Sequence, residues 1–88
     1  MDTDERLIPR YLLGLLSMDD TERLEQRFLS DDAFFDLVKT AEAEMISDYL
    51  RGVLSDSDRL QFARVYLTNT HLRKKVARAE FAGHHSLD

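Results

Sequence analysis

Carboxylates are the side chains of this 88-residue chain that could most readily do chemistry, and acidic residues outnumber basic ones by 17 to 12. An acid–base pair needs two carboxylates that converge in a dry cleft and acquire shifted pKa values. Most of these residues instead stand where helices are predicted to begin, so capping and the helix dipole account for them. The sequence also lacks a glycine-rich phosphate loop and a nucleophile elbow, and we predict no catalytic residue and no enzymatic activity. The carboxylates considered are Asp19, Asp20, Asp31, Asp32, Glu42, Glu44 and Asp48.

Histidine is the second residue type with chemical potential, as a metal ligand. His84 and His85 are adjacent, which does not suit an i, i+4 pair of ligands on a helix, and His71 is predicted to be exposed at a helix start. The chain contains no cysteine, which excludes a disulfide and a thiolate metal site. We therefore expect no bound metal and no cofactor.

The charge is distributed unevenly along the chain. Residues 1–70 carry 8 basic and 15 acidic side chains, whereas residues 71–88 carry 4 basic and 2 acidic ones. A predominantly acidic chain repels nucleic acid and attracts basic protein surfaces, so a protein partner is expected and direct contact with nucleic acid is not. The basic cluster near the C-terminus is interpreted as a solvated helix face that complements the helix dipole. The alternative is that it binds nucleic acid or an acidic helix. The cluster consists of Arg73, Lys74, Lys75 and Arg78.

Residues 11–16 hold more large apolar side chains than one face of a helix can bury in a small core. Two interpretations stay open: that all are core residues except an exposed Leu13, or that they form a surface for a partner. Leu13 aligns with Arg51 in the repeat described next, so we expect this position to face outward in both copies. Two residues of the third predicted helix complete the candidate partner-binding set. The set is Tyr11, Leu12, Leu13, Leu15, Leu16, Met45 and Tyr49.

An internal repeat organises the chain. Residues 11–42 align without a gap with residues 49–80 at an offset of 38, and 10 of the 32 aligned pairs are identical. The shared features are apolar spacing, one glycine and small polar caps, which serve packing and not chemistry. We predict a tandem duplication whose copies form a single helical domain over residues 1–82, followed by a flexible tail over residues 83–88.

The apolar residues recur with helical period, and no segment shows the alternation of a strand. Gly14 is predicted to loosen the end of the first helix and Gly52 to break the third, and Ser17 and Ser55 are predicted to cap the helices that follow. Pro9 favours a start of the regular first helix close to that residue. The third helix carries a long apolar stripe that includes Leu37 and is expected to join the two copies. The sequence thus predicts an all-α compact bundle of about five helices, over residues 5–16, 18–29, 32–51, 56–67 and 71–81.

The pattern Tyr-Leu-x-Gly-x-Leu-Ser at residues 11–17, followed by a charged helix that ends in an aromatic residue and a leucine, resembles the anti-sigma-factor zinc-finger family. In that family the segment precedes a His and a Cys-x-x-Cys that bind zinc. The alignment places these ligand positions at residues with no zinc-binding side chains, so the resemblance implies a zinc-free variant. The positions are Arg27, Asp31 and Phe34 in the first copy and Val65, Asn69 and Leu72 in the second.

The whole duplicated arrangement, including residues 41–50, also looks like the zinc-free cytoplasmic N-terminal domains of bacterial membrane-anchored regulators, over most of residues 7–81. The resemblance implies a cytoplasmic domain that sequesters a sigma factor and regulates transcription through protein–protein contact. The apolar run at residues 11–18 is too short to cross a bilayer, and the acidic N-terminus does not match a signal peptide. The alternatives are a self-associating module, with the leucines as a symmetric homodimer seam, or an adaptor module of a larger multidomain protein, anchored to a membrane if the full chain is longer.

Overall fold

The computed structural model describes residues 3–85, and the side chains of residues 3–82. These residues form five helices and no β-strand, which confirms the predicted all-α class and the number of helices. Four of the five helix starts lie within one residue of the predicted starts. The helices are α1 (Thr3–Leu12), α2 (Met18–Ser30), α3 (Asp32–Leu50), α4 (Asp56–Tyr66) and α5 (Thr70–His85).

The first helix starts earlier than predicted, because it tolerates Pro9 in its interior. Proline has no N–H, so the carbonyl of Glu5, one turn earlier, lacks its usual helical donor. Pro9 is exposed, and solvent can therefore hydrate this carbonyl. The prediction that the regular helix starts near Pro9 was wrong, since α1 begins at Thr3.

The first helix also ends four residues earlier than predicted, at Leu12, because Gly14 adopts a left-handed conformation with φ of +68°. The N–H of Gly14 donates to the carbonyl of Tyr11 at 3.1 Å, and the N–H of Leu15 donates to the carbonyl of Arg10 at 2.9 Å. These two bonds form a Schellman motif, in which glycine accepts a backbone conformation that strains other residues.

The same motif recurs 38 residues later, at the end of α3. Gly52 has φ of +72°, and its N–H donates to the carbonyl of Tyr49 at 3.1 Å. The N–H of Val53 donates to the carbonyl of Asp48 at 3.0 Å. Both glycines therefore end a helix with the same Schellman motif.

The caps of the following helices recur at the same offset. The hydroxyl of Ser17 accepts from the N–H of Asp20 at 3.2 Å, and the hydroxyl of Ser55 accepts from the N–H of Asp58 at 3.1 Å. Both serines have extended backbone angles, as N-caps require. The predicted capping roles of Ser17 and Ser55 are confirmed.

A second pair of caps opens the helices α3 and α5. The carboxylate of Asp31 accepts from the N–H of Phe34 at 3.2 Å, and the side-chain carbonyl of Asn69 accepts from the N–H of Leu72 at 3.1 Å. Turns and caps thus recur at the offset seen in the sequence. The duplication that would explain this recurrence stays a prediction.

The chain divides into two compact units, and the boundary falls inside α3. The N-terminal unit comprises residues 1–45 and the C-terminal unit comprises residues 46–88. The long third helix therefore contributes residues to both units. A single domain over residues 1–82 stays a prediction.

An aliphatic core with one aromatic ring holds the N-terminal unit together. Leu24 is fully buried, and Phe34 is 1% exposed. Partly buried residues from α1, α2 and α3 pack around this core, among them Tyr11, Phe28 and Met45. The buried residues are Ile8, Leu12, Leu24, Phe34 and Val38.

Stacked aromatic rings form the core of the C-terminal unit. The ring of Phe62 stacks on that of Tyr49, with centroids 4.3 Å apart, and on that of Tyr66, with centroids 4.4 Å apart. Phe62 is fully buried, and Ile46 and Val76 are buried as well. Val76 belongs to α5, which packs against α4 in this unit.

Differences from the predicted boundaries at the C-terminus are small. The helix α5 continues to His85, beyond the predicted end at residue 81. The predicted flexible tail over residues 83–88 therefore starts with helical backbone, and residues 86–88 lie outside the described residues. No helix in the described part of the chain combines the length and the hydropathy that a membrane span requires.

Candidate docking groove

The predicted partner surface at residues 11–16 is mostly interior. Leu12 is 9% exposed and belongs to the core of the N-terminal unit, and Leu13 is 4% exposed. The expectation that Leu13 faces outward was wrong. It rested on the alignment with Arg51, which is exposed and pairs with Asp48 at 2.9 Å. Equivalent positions in a repeat share backbone geometry, whereas burial depends on the tertiary neighbours of each copy.

The other residues of the predicted partner-binding set either pack in or against a core or are exposed to solvent. Tyr11, Leu16 and Met45 are partly buried and pack against the core of the N-terminal unit. Tyr49 stacks in the aromatic core of the C-terminal unit. Leu15, at 48% exposure, is the one residue of the predicted set with a largely exposed side chain. The set therefore does not form one continuous docking surface within either unit.

Tyr11 lies near two carboxylates of the N-terminal unit. Desolvation by burial raises the pKa of its hydroxyl, and the nearby carboxylates of Glu25 and Glu42 raise this pKa further. A raised pKa keeps the hydroxyl protonated and neutral at physiological pH.

The three positions that the resemblance assigns to zinc ligands in the first copy do converge. The Nε of Arg27 lies 3.4 Å from the Oδ2 of Asp31, and the guanidinium of Arg27 lies 4.5 Å from the ring centroid of Phe34. Arg27 also pairs with Asp4 of α1 at 3.2 Å, and Asp4 pairs with Arg23 at 3.1 Å. A charged cluster on an aromatic ring thus joins α1, α2 and the start of α3.

The equivalent positions of the second copy carry no charge. Val65 and Leu72 are partly buried, and Asn69 caps α5. Among the residues that the structure describes, no group of three histidine or acidic side chains is placed to hold a metal ion. The predicted absence of a metal and of a cofactor stays a prediction.

The basic cluster lies on α5, as predicted. Arg73, Lys74 and Arg78 are exposed, and Lys75 is partly buried. Lys74 and Arg78 are one turn apart, so they extend from one face of the helix. This basic face also carries Phe81, which is 65% exposed.

A groove between α1 and the first half of α3 is the strongest candidate for a binding site in the N-terminal unit. Its volume is about 630 Å³, within the range of ligand-sized clefts. Leu37, which the sequence placed in the core stripe, is 42% exposed on its wall. The expectation that Leu37 is buried was wrong, because the buried face of α3 centres on Phe34 and Val38. The apolar lining residues are Ile8, Pro9, Ala33, Leu37 and Ala41.

The charged side chains among the described lining residues of the groove are all acidic. Glu5 of α1 and Asp36 and Glu44 of α3 line it together with Thr40, and none of the nine described lining residues is basic. The groove can therefore bind an apolar side chain on its floor and hydrogen-bond donors or cations along its rim.

Sequence reasoning did not identify this groove. Asp36 and Glu44 are two turns apart on α3, with Ala33, Thr40 and Ala41 between or beside them. Small residues flanked by acidic ones on one helix face could have indicated a shallow acidic groove. The pairing with α1 supplies the second wall, and no residue spacing predicted it.

Comparison of the chain with models of protein families, with curated proteins and with solved structures finds no match in any of the three.

Proposed function

We propose that this chain is a regulatory domain of anti-sigma type, which sequesters a sigma factor by binding one of its basic amphipathic helices. The observation that supports the proposal is the apolar groove with an acidic rim between α1 and α3. Amphipathic helices commonly dock by laying an apolar face into such a groove. The residue pattern of the resemblance points to the same class of partner. A cytoplasmic location and the absence of enzymatic activity belong to this proposal.

Charge complementarity favours a basic occupant over an acidic or neutral one. The N-terminal unit carries 12 acidic and 5 basic side chains, a net charge of −7. Such a field speeds the encounter with a basic helix and penalises an acidic one. Binding should therefore weaken as salt concentration rises, because the rim carboxylates are exposed or partly exposed.

Co-expression with each sigma factor of the source organism tests the proposal. We expect one of them to co-elute with the chain in size-exclusion chromatography at low salt. Isothermal titration calorimetry on that pair then measures the effect of Leu37→Arg, which places a long cation on the groove wall. We expect affinity to fall at least about tenfold, the change that corresponds to about 1.4 kcal/mol.

Leu29→Arg is the matched control, because Leu29 is 82% exposed and does not line the groove. It should bind the sigma factor as the natural chain does. Glu44→Lys, at an exposed rim position, provides a second groove variant if Leu37→Arg reduces helicity in circular dichroism. The proposal is wrong if no sigma factor co-elutes, or if folded groove variants bind as tightly as the Leu29→Arg control.

A further inference from the structure

The exposed face of α5 has the chemistry that the groove would select. Lys74, Ala77, Arg78 and Phe81 are all exposed and lie at i, i+3, i+4 and i+7, which places them on one helix face. The opposite face carries Val76, which is buried in the C-terminal unit. The outer face of α5 therefore presents one large apolar side chain and two cations on a helix that its own core already orders.

The dimensions of the two surfaces agree. From Lys74 to Phe81 the face extends about 10 Å, at about 1.5 Å per residue of helix. The α3 wall of the groove, from Ala33 to Glu44, extends about 16 Å on the same measure. The groove is thus long enough to hold the whole α5 face.

Net charge also distinguishes the two units. The N-terminal unit carries a net charge of −7, whereas the C-terminal unit has 7 basic and 5 acidic side chains, a net charge of +2. A symmetric contact between two N-terminal units would bring two strongly negative surfaces together. A contact between the N-terminal unit of one copy and the C-terminal unit of another pairs opposite charges.

We propose that the groove of one copy binds the exposed α5 face of a second copy, so that self-association occludes the site for the sigma factor. This inference deepens the proposed function and rests on it, since it names a competing ligand for the same groove. Phe81 binds over the apolar floor, and Lys74 and Arg78 pair with the rim carboxylates. Each such head-to-tail contact covers one groove, so the concentration of the chain regulates the fraction of grooves that stay open to the sigma factor.

Charge exchange between two variants tests the inference. One variant carries Asp36→Lys and Glu44→Lys in the groove, and the other carries Lys74→Glu and Arg78→Glu on α5. Sedimentation equilibrium at low salt should show reversible association of the natural chain in the micromolar to high-micromolar range. Each variant alone should associate at least about tenfold more weakly. An equimolar mixture should recover association, because each altered surface then meets a complementary one.

Arg59→Glu with Arg64→Glu is the matched control, since it changes the same number of charges at exposed positions of α4 in the same unit. It should associate as the natural chain does. A monomeric natural chain overturns the inference, and so does a mixture that associates no better than its components.

Sigma-factor binding separates this inference from the proposed function. The Lys74→Glu, Arg78→Glu variant retains its groove, so it should bind the sigma factor at least as tightly as the natural chain. Charge-dependent self-association without sigma-factor binding would refute the proposed function alone. Sigma-factor binding by a strictly monomeric chain would refute self-association alone.

Discussion

The two units use the same turns and caps around different interiors. Leu24 and Phe62 are equivalent at the offset of 38 and are both fully buried, but Leu24 packs in a largely aliphatic core whereas Phe62 stacks between two tyrosines. The backbone hydrogen bonds that end α1 at Gly14 have almost the same lengths as those that end α3 at Gly52. The comparison shows that the same turns and caps can surround cores of different composition.

The surfaces of the two units also differ in charge. The N-terminal unit has an apolar groove with acidic lining residues and a charged cluster centred on Asp4 and Arg27, which links residues of different helices. The C-terminal unit has a basic outer face on α5, and its arginines Arg51 and Arg59 pair with carboxylates three residues earlier in the chain. Long-range ion pairs thus mark the first unit, and ion pairs within one turn of helix mark the second.

The largest expected effect in this comparison comes from removing the central side chain of each core. Phe62→Ala should cost about 3–5 kcal/mol and Leu24→Ala about 2–5 kcal/mol of unfolding free energy, measured by urea denaturation. If the cores are separate, hydrogen exchange in Leu24→Ala should rise mainly in residues 3–45. An equal rise in both units would contradict separate cores. Phe62→Leu and Leu24→Val give the same comparison at about 1 kcal/mol if the alanine variants do not fold.

Alanine at the two helix-ending glycines should have the next largest effect. Gly52→Ala should cost about 1–2 kcal/mol, because a Cβ disfavours the left-handed conformation. A Cβ at residue 52 would meet no heavy atom of another residue within 4 Å, so the cost is that of the backbone and not of a clash. Asn is better tolerated in this conformation, and Gly52→Asn should retain more stability by thermal denaturation. Equal stabilities for Ala and Asn would contradict this account of the turn.

The two serine caps provide a matched pair with a smaller effect. Ser17→Ala and Ser55→Ala each remove one acceptor for a backbone N–H, and each should cost about 1 kcal/mol in urea denaturation. Ser57→Ala, at an exposed position within α4, is the control and should change stability by less than about 0.5 kcal/mol. Costs that differ widely between the two caps would show that the recurrence of their geometry does not extend to energetics.

Ion pairs should give the smallest effect and distinguish the units by salt dependence. Asp4→Asn removes the contacts with Arg23 and Arg27 and should cost up to about 1 kcal/mol at low salt, less at high salt. Asp56 pairs with Arg59 but its side chain is 95% exposed, so Asp56→Asn should lose little beyond the interaction of a first-turn carboxylate with the helix dipole, and less than Asp4→Asn. A chemical denaturation series in urea at two salt concentrations measures both. Equal losses would refute the assignment of the stabilising charged cluster to the N-terminal unit alone.

Helix number, most helix starts and the serine caps followed from the sequence, because they depend on residues within one or two turns. The period of apolar residues predicted α2, α3 and α4 to within one residue of their observed ends. The early end of α1 did not follow, since an apolar run over residues 11–16 masked the effect of Gly14. The helical spacing of apolar residues alone does not show where a glycine will adopt the left-handed conformation that ends a helix.

The candidate site could not be derived in the same way. Leu13 was expected outside and is buried, and Leu37 was expected inside and lines the groove. The sequence does not distinguish an apolar residue that will be buried from one on an adjacent helix face that will be exposed. The packing of α1 and α2 against α3 decides which of those faces stays open.

By itself the sequence determined that this chain is helical, where its turns and caps stand, and that its acidic and basic residues are segregated. These properties depend on local backbone preferences and on side-chain type, both of which are written in neighbouring residues. Only the tertiary structure decided which leucines are interior, that the positions aligned with zinc ligands meet as Arg27, Asp31 and Phe34, and that an acidic groove opens between α1 and α3. Those properties require contacts between residues far apart in the chain, and burial is set by the whole arrangement of neighbouring helices.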